Sequence, residues 1–133
     1  FVALRSDKVF LRSGPGLRYP KVWIYHRRNM PMEVVSEFDT WRKVRDWEGS
    51  EGWVHQSLLV GSRHVIVTDD NILLYSAADE NARKIAMVSA SVIGSIEDCP
   101  VNLNWCQLRF GDFEGWAPRH GFWGIYDGEN VEG

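Results

Sequence analysis

The sequence contains no uninterrupted apolar run of about 18 residues, so no segment predicts a membrane-spanning helix. It also lacks a helical spacing of apolar residues sustained over about 11 residues, which disfavours a helical fold. No GxSxG motif, no CxxC or HxxxH pair, and no glycine-rich motif leading into a predicted helix is present. These absences exclude the usual signatures of serine hydrolases, zinc sites and nucleotide-binding domains.

Residues that could carry catalysis are few. The four histidines are scattered along the chain: His26, His55, His64 and His120. The only cysteines are Cys99, which precedes a proline, and Cys106, which falls in a predicted strand. A Cys–His nucleophile formed with His120 is therefore disfavoured. The sequence predicts that the protein is not an enzyme, and it indicates no cofactor and no metal.

The composition is that of a folded chain with an uneven charge. The 133 residues are 44% hydrophobic and 25% charged, which fits one ordinary domain or two small ones. Residues 1–67 have 11 Lys and Arg against 7 Asp and Glu, whereas residues 68–133 have 4 against 11. The first part is only mildly basic, unlike the domain-wide basic excess of nucleic-acid binders, so no nucleic-acid partner is expected.

The two parts of the chain resemble each other at a spacing of 63 residues. SDKVFLRSGPG (6–16) aligns with DDNILLYSAAD (69–79), and Glu51-Gly52-Trp53 aligns with Glu114-Gly115-Trp116. Trp41 aligns with Trp105 after a slip of one residue. Each part reads as short β-branched and aromatic stretches between turn residues, which is typical of a small β-barrel. The strands predicted in the first part are 9–12, 21–26, 32–37, 41–46 and 52–54, and residues 55–59 could form one helical turn. We therefore predict an all-β chain of two tandem barrels, residues 1–63 and 66–133.

The Ser13-Gly14-Pro15-Gly16 stretch is interpreted as a turn. A phosphate-binding loop needs a helix whose N-terminus supplies donors, and none follows here. The second repeat has Ala77-Ala78-Asp79 at these positions. Pro15 is expected to preset φ near −65° at one corner, and Gly16 tolerates a positive φ at the next.

These motifs resemble the bacterial SH3-like (SH3b) family. The resemblance rests on LRSGPG (11–16), WRKVR (41–45) and GSEGWV (49–54), and the second repeat, which lacks the Gly-Pro-Gly turn, is a degenerate copy. It implies two five-stranded SH3-like barrels. It also implies an exported, periplasmic or cell-envelope protein that binds cell-wall peptide or glycan, or an envelope protein. The ALYDY-type motif of eukaryotic SH3 domains is absent, so a PxxP ligand is not expected.

Aromatic and basic residues of the first repeat form the candidate binding surface. Strand alternation places Val44 inward and the neighbouring side chains outward. Aromatic faces flanked by cations suit sugars or peptides that carry carboxylates, although a solvated barrel edge is an alternative interpretation. The predicted ligand-binding residues are Tyr19, Tyr25, Trp41, Lys43, Arg45 and Trp47.

Cys99 and Cys106 are predicted to form a disulfide. The flanking stretches 96–98 and 107–109 read as the two arms of a hairpin, which would place the cysteines opposite each other. Two buried free thiols in a cytosolic protein are the alternative.

We thus expect a non-catalytic binding or scaffolding module of the bacterial cell envelope. Because the sequence begins at Phe1 rather than Met, we expect that a signal peptide has been removed. An intracellular SH3-like adaptor that binds a protein or RNA is the alternative.

Overall fold

The structure, a computed structural model, describes residues 1–132. The described chain is all-β and contains no α-helix, only a short 3₁₀ turn at Gln56–Leu58. It divides into two compact units, Phe1–Arg63 and a second that begins at His64. None of its helical segments has the length and apolarity needed to cross a membrane. The predicted fold class, all-β with two SH3-like barrels, is confirmed.

The first unit forms a seven-stranded antiparallel sheet. Its strands are β1 (Val2–Leu4), β2 (Val9–Arg12), β3 (Lys21–Tyr25), β4 (Pro31–Phe38), β5 (Trp41–Arg45), β6 (Glu51–His55) and β7 (Leu59–Val60). They lie in the order β3-β2-β6-β5-β4-β1-β7. Buried side chains alternate along β2 and β6, as expected for strands with one face on a core.

The second unit has the same architecture. Its strands are β8 (His64–Val67), β9 (Asn71–Tyr75), β10 (Lys84–Ser89), β11 (Ile93–Asp98), β12 (Trp105–Phe110), β13 (Phe113–Pro118) and β14 (Phe122–Trp123). The order β10-β9-β13-β12-β11-β8-β14 repeats that of the first unit strand by strand. Arg12 lies opposite Trp53 and Tyr75 lies opposite Trp116, so each partner has its counterpart 63 residues later. This correspondence supports the interpretation of the sequence as a repeat.

Each unit has two short strands beyond the five predicted per barrel. The sequence predicts five strands per barrel, but β1 and β7 extend the first sheet and β8 and β14 extend the second. The stretch that joins the two sequence repeats is itself structured, because β8 pairs with both β11 and β14. The second compact unit begins at His64.

Each unit has its own apolar core. Leu4, Leu11 and Val44 are among the fully buried side chains of the first unit. Leu74 and Leu108 are fully buried at the centre of the second. Each such side chain contributes about 1.5–3 kcal/mol by its removal from water.

The Gly-Pro-Gly segment bends the chain, as expected from its interpretation as a turn, but without the positive φ that glycine permits. Neither Gly14 nor Gly16 has a positive φ. Gly14 is glycine because the ring of Tyr19 lies against it, and a Cβ at this position would overlap that ring. The Arg12 guanidinium holds the loop from the other side by donating to the carbonyl oxygens of Leu17 (3.2 Å) and Tyr19 (3.0 Å).

A disulfide joins Cys99 to Cys106, with their Cα atoms 4.3 Å apart. Asp98 lies opposite Gln107, so the cysteines are the next facing pair of the β11–β12 hairpin. Cys99 also exchanges two backbone hydrogen bonds with Val131, at 2.7 and 3.0 Å. The disulfide thus closes the hairpin, and the Cys99 backbone ties the hairpin to the C-terminal segment. Because the two sulfur atoms are bonded to each other, neither is a thiolate nucleophile in this form.

Candidate functional site

The first unit contains an open groove beside Trp41, which we call the Trp41 groove. Its volume is about 590 Å³, within the range of small-ligand sites. The lining residues are Leu17, Thr40, Trp41, His55, Ser57 and Leu58. They come from the Gly-Pro-Gly loop, the β4–β5 turn, the end of β6 and the 3₁₀ turn, so the sheet order brings together segments that are distant in sequence.

The strand register fixes the indole ring of Trp41. Trp41 begins β5 and lies directly opposite His55 at the end of β6. The two rings meet edge to face, with centroids 5.3 Å apart and planes at 86°. This geometry is favourable for aromatic pairs and leaves Trp41 half-buried.

His55 is held in turn by the 3₁₀ turn that it caps. Its Nδ1 accepts a hydrogen bond from the backbone N–H of Ser57 at 3.2 Å and lies 2.7 Å from the Ser57 hydroxyl. The imidazole and the indole therefore form one preorganised wall, and both are oriented before any ligand arrives.

The opposite side of the groove is apolar and accessible. The Leu17 side chain is 78% exposed, although Arg12 anchors the Leu17 backbone through the hydrogen bond described above. Thr40 and Ser57 supply the hydroxyl groups of the lining, which contains no carboxylate, lysine or arginine. The groove therefore suits a neutral group with an apolar face and some hydrogen-bonding capacity.

The predicted cations of the surface are paired within the protein. Arg45 contacts Glu51 at 2.9 Å and Glu33 at 3.3 Å, and the Nζ of Lys43 lies 3.6 Å from Glu51. The hydrogen bond from Arg45 lowers the pKa of Glu51, and the charge of Lys43 acts in the same direction. Neither cation lines the Trp41 groove.

The three other predicted aromatic residues do not line the groove either. Tyr25 lies in the core, 7% exposed, and its hydroxyl donates to the Asp46 carboxylate at 2.8 Å. Burial, followed by this hydrogen bond, raises the pKa of Tyr25. Tyr19 packs on Gly14, and Trp47 is half-buried in the turn that follows β5. Of the predicted ligand-binding residues, only Trp41 lies at the groove.

Sequence reasoning missed Leu17 and His55. Leu17 follows the Gly-Pro-Gly turn directly and His55 follows Gly52-Trp53-Val54, so both are adjacent to motifs that the sequence displays. Their convergence on Trp41 depends on the β5–β6 register and on the anchoring of the loop by Arg12. Trp23 of β3 is a further exposed aromatic residue, at 59%, but it does not line the groove.

The part of the chain that the structure describes has no cluster of side chains suited to bind a metal ion. Residues 1–132 contain no group of three or more His, Cys, Asp and Glu side chains placed to hold a metal ion.

Comparison with known proteins identifies the family of the first unit. Residues 5–61 match the family model of the bacterial SH3 domain, and the first unit is therefore a bacterial SH3 domain. No curated protein matches the chain. A solved structure of NlpC2 from Trichomonas vaginalis is 12% identical to it, with a TM-score of 0.42. That match covers 92% of this chain and 47% of the other, so this chain spans about half the length of that structure.

Proposed function

We propose that this protein is a non-catalytic binding module of the bacterial cell envelope. In this proposal the Trp41 groove holds a segment of cell-wall peptide or glycan, or of an envelope protein. The observation that carries the proposal is the groove itself, a preformed and largely apolar site built on a bacterial SH3 domain. Ligand sites of this kind combine apolar walls with a few fixed polar groups.

The chemistry of the walls supports a neutral ligand. The half-buried Trp41 ring offers an aromatic face to the C–H surface of a sugar or to an apolar side chain. Leu17 and Leu58 add apolar contact, and the hydroxyls of Thr40 and Ser57 provide donors and acceptors. Because His55 and Trp41 are already locked together, little side-chain entropy is lost when a ligand binds.

The disulfide supports the proposed location in the cell envelope. A bond between Cys99 and Cys106 persists in the periplasm and outside the cell, whereas the cytosol keeps thiols reduced. This observation favours the envelope over an intracellular adaptor.

Sedimentation of the protein with purified cell-wall material tests the proposal. The wild-type chain should sediment, and Leu17→Glu should weaken binding about tenfold, because a carboxylate would be desolvated against an apolar wall. Leu17 is exposed, so this change leaves the core intact. Val22→Glu is the matched control, because Val22 is also an exposed apolar residue of the first unit and lies outside the groove.

Two outcomes would contradict the proposal. If the wild-type chain does not bind the material, the envelope function is wrong. If Leu17→Glu binds as the wild type does, or if both variants lose binding equally, the groove is not the site.

A further inference from the structure

The second unit has a cavity of its own at the corresponding position. Its volume is about 220 Å³, and Glu80, Pro118 and His120 contribute to its lining. At the repeat spacing these three residues correspond to Leu17, His55 and Ser57 of the Trp41 groove. The strand registers fix this correspondence, because Trp105 lies opposite Pro118 just as Trp41 lies opposite His55.

The residues around this position are more negatively charged in the second unit than in the first. Four of the residues that line the second cavity differ in formal charge from their counterparts, and each of these differences adds a negative charge or removes a positive one. The pairs, first unit then second, are Ser6 and Asp69, Lys8 and Asn71, Arg12 and Tyr75, and Leu17 and Glu80. The second unit therefore has neutral residues in place of two cations and carboxylates in place of two neutral residues.

The two carboxylates of the cavity are not neutralised within the described chain. Elsewhere in the same unit Arg109 pairs with Glu97 at 3.0 Å and with Glu114 at 2.6 Å. Asp69 and Glu80, by contrast, form no ion pair within residues 1–132. Carboxylates facing one cavity favour a positively charged occupant.

An aromatic ring completes the lining. Tyr75 replaces the arginine that anchors the loop in the first unit, and this half-buried residue is part of the cavity lining. Trp105 supports this ring edge to face, with centroids 5.6 Å apart and planes at 81°. A tyrosine face attracts an ammonium group within about 6 Å of its centroid.

From these observations we propose that the second unit binds an alkylammonium group in the cavity between Asp69, Glu80 and Tyr75. The carboxylates provide the charge complement, and the ring provides a face for the C–H groups next to the nitrogen. An organic cation fits better than a metal ion, because residues 1–132 hold no cluster of three or more metal-ligating side chains. The site is separate from the Trp41 groove, so its failure would leave the proposed function standing.

Titration of the full ¹⁵N-labelled chain with Nα-acetyl-lysine methylamide tests the proposal. The amide signals of Tyr75, Glu80 and His120 should shift, whereas the Nε-acetylated form of the same compound, which lacks the charge, should leave them unchanged. Glu80→Gln and Asp69→Asn should each weaken the affinity about fivefold, the effect of one exposed charge pair. Both residues are exposed, so the variants should keep the wild-type spectrum elsewhere.

Asp112→Asn is the matched control, because it removes the same charge at the other end of the β12–β13 hairpin. It should change the affinity less than twofold. Glucosamine, which carries the same ammonium on a sugar, distinguishes an amino-sugar source from a peptide source. Equal shifts with the charged and neutral lysine compounds would overturn the proposal. An equal loss of affinity in Asp112→Asn and Glu80→Gln would also overturn it. So would the absence of binding by both Nα-acetyl-lysine methylamide and glucosamine.

Discussion

The missing side chain at position 14 allows the ring of Tyr19 to lie on the backbone of the loop that carries Leu17. Arg12 completes this arrangement from the strand side by donating to the carbonyl oxygens of Leu17 and Tyr19. The Gly-Pro-Gly signature thus serves the Trp41 groove, because it positions the residue that forms one of its walls.

Gly14→Ala should therefore destabilise the first unit. The new methyl group would overlap the Tyr19 ring, so the ring or the loop must move, at a cost of about 1–3 kcal/mol in the free energy of unfolding. Gly61→Ala is the matched control, because no atom lies within 4 Å of the position of its Cβ. Urea unfolding of both variants measures the difference, and equal stabilities would show that Tyr19 does not pack as described.

Tyr25 and Asp46 form the buried polar pair of the first unit. The Asp46 carboxylate accepts from the Tyr25 hydroxyl at 2.8 Å and from the backbone N–H groups of Glu48 and Ser50 at 3.0 and 2.9 Å. The pair therefore joins β3 to the turn between β5 and β6.

Tyr25→Phe should lower the free energy of unfolding by about 2 kcal/mol at pH 7, because it removes a buried hydrogen bond to a charged group. The folded-state pKa of Tyr25 is raised, so its stabilisation is complete below about pH 10, the unfolded pKa, and is lost as the pH rises above that value. The wild type should lose up to about 1.4 kcal/mol per pH unit more than the variant in this range. Urea unfolding between pH 7 and 11 measures the slope.

Tyr19→Phe is the control for this slope, since Tyr19 is half-buried and is not bonded to a carboxylate. Identical slopes for the wild type and Tyr25→Phe would contradict the assignment of the raised pKa to Tyr25.

At the scale of the strand, the sequence patterns predicted most of what the structure shows. β2 begins and ends where the alternation of Val9–Arg12 does, and the helical turn expected within residues 55–59 is the 3₁₀ turn at Gln56–Leu58. The short strands β1 and β7 carry no such pattern, since two or three residues are too few to show a period. Their strand character comes from pairing with each other and, for β1, with β4.

The β11–β12 hairpin is the element whose stability depends most on the disulfide. The disulfide closes it, and Arg119 donates to the carbonyl oxygens of Pro100 in its loop and of Glu129 in the C-terminal segment, both at 2.7 Å. The loop and the terminal segment are thus held from two sides.

Replacing both cysteines with alanine should destabilise the second unit by roughly 2–3 kcal/mol, the chain-entropy value for a short loop. Hydrogen exchange should accelerate at the backbone amides of Cys99 and Val131, because each donates a hydrogen bond to the other's carbonyl oxygen next to the disulfide. Amides of β5 in the first unit serve as the internal control. Unchanged protection at Val131 would contradict the account.

At the scale of the whole molecule, the two units have the same strand order but differ in the chemistry of their surfaces. The units share their topology and strand registers, yet the first presents a neutral groove and the second an acidic cavity at the same position. The sequence predicted Trp41 as a ligand-binding residue, because an aromatic residue at the start of a predicted strand can be recognised from the sequence alone. The sequence also predicted Tyr25 as a ligand-binding residue, but Tyr25 is buried in the core. The approach of the Gly-Pro-Gly loop to the 3₁₀ turn could not be predicted, because it depends on contacts between segments that are distant in sequence.

The most direct test of the central claim is a ¹⁵N chemical-shift map of the chain with soluble fragments of purified cell wall. We predict that the largest shifts fall on the Trp41 indole, on His55 and on the amide of Leu17. Leu17→Glu should raise the fragment concentration that gives half of these shifts about tenfold, whereas Val22→Glu should leave it unchanged. Shifts centred on Lys43, Arg45 and Trp47, or no shifts at saturating fragment, would contradict the claim that the Trp41 groove is the binding site.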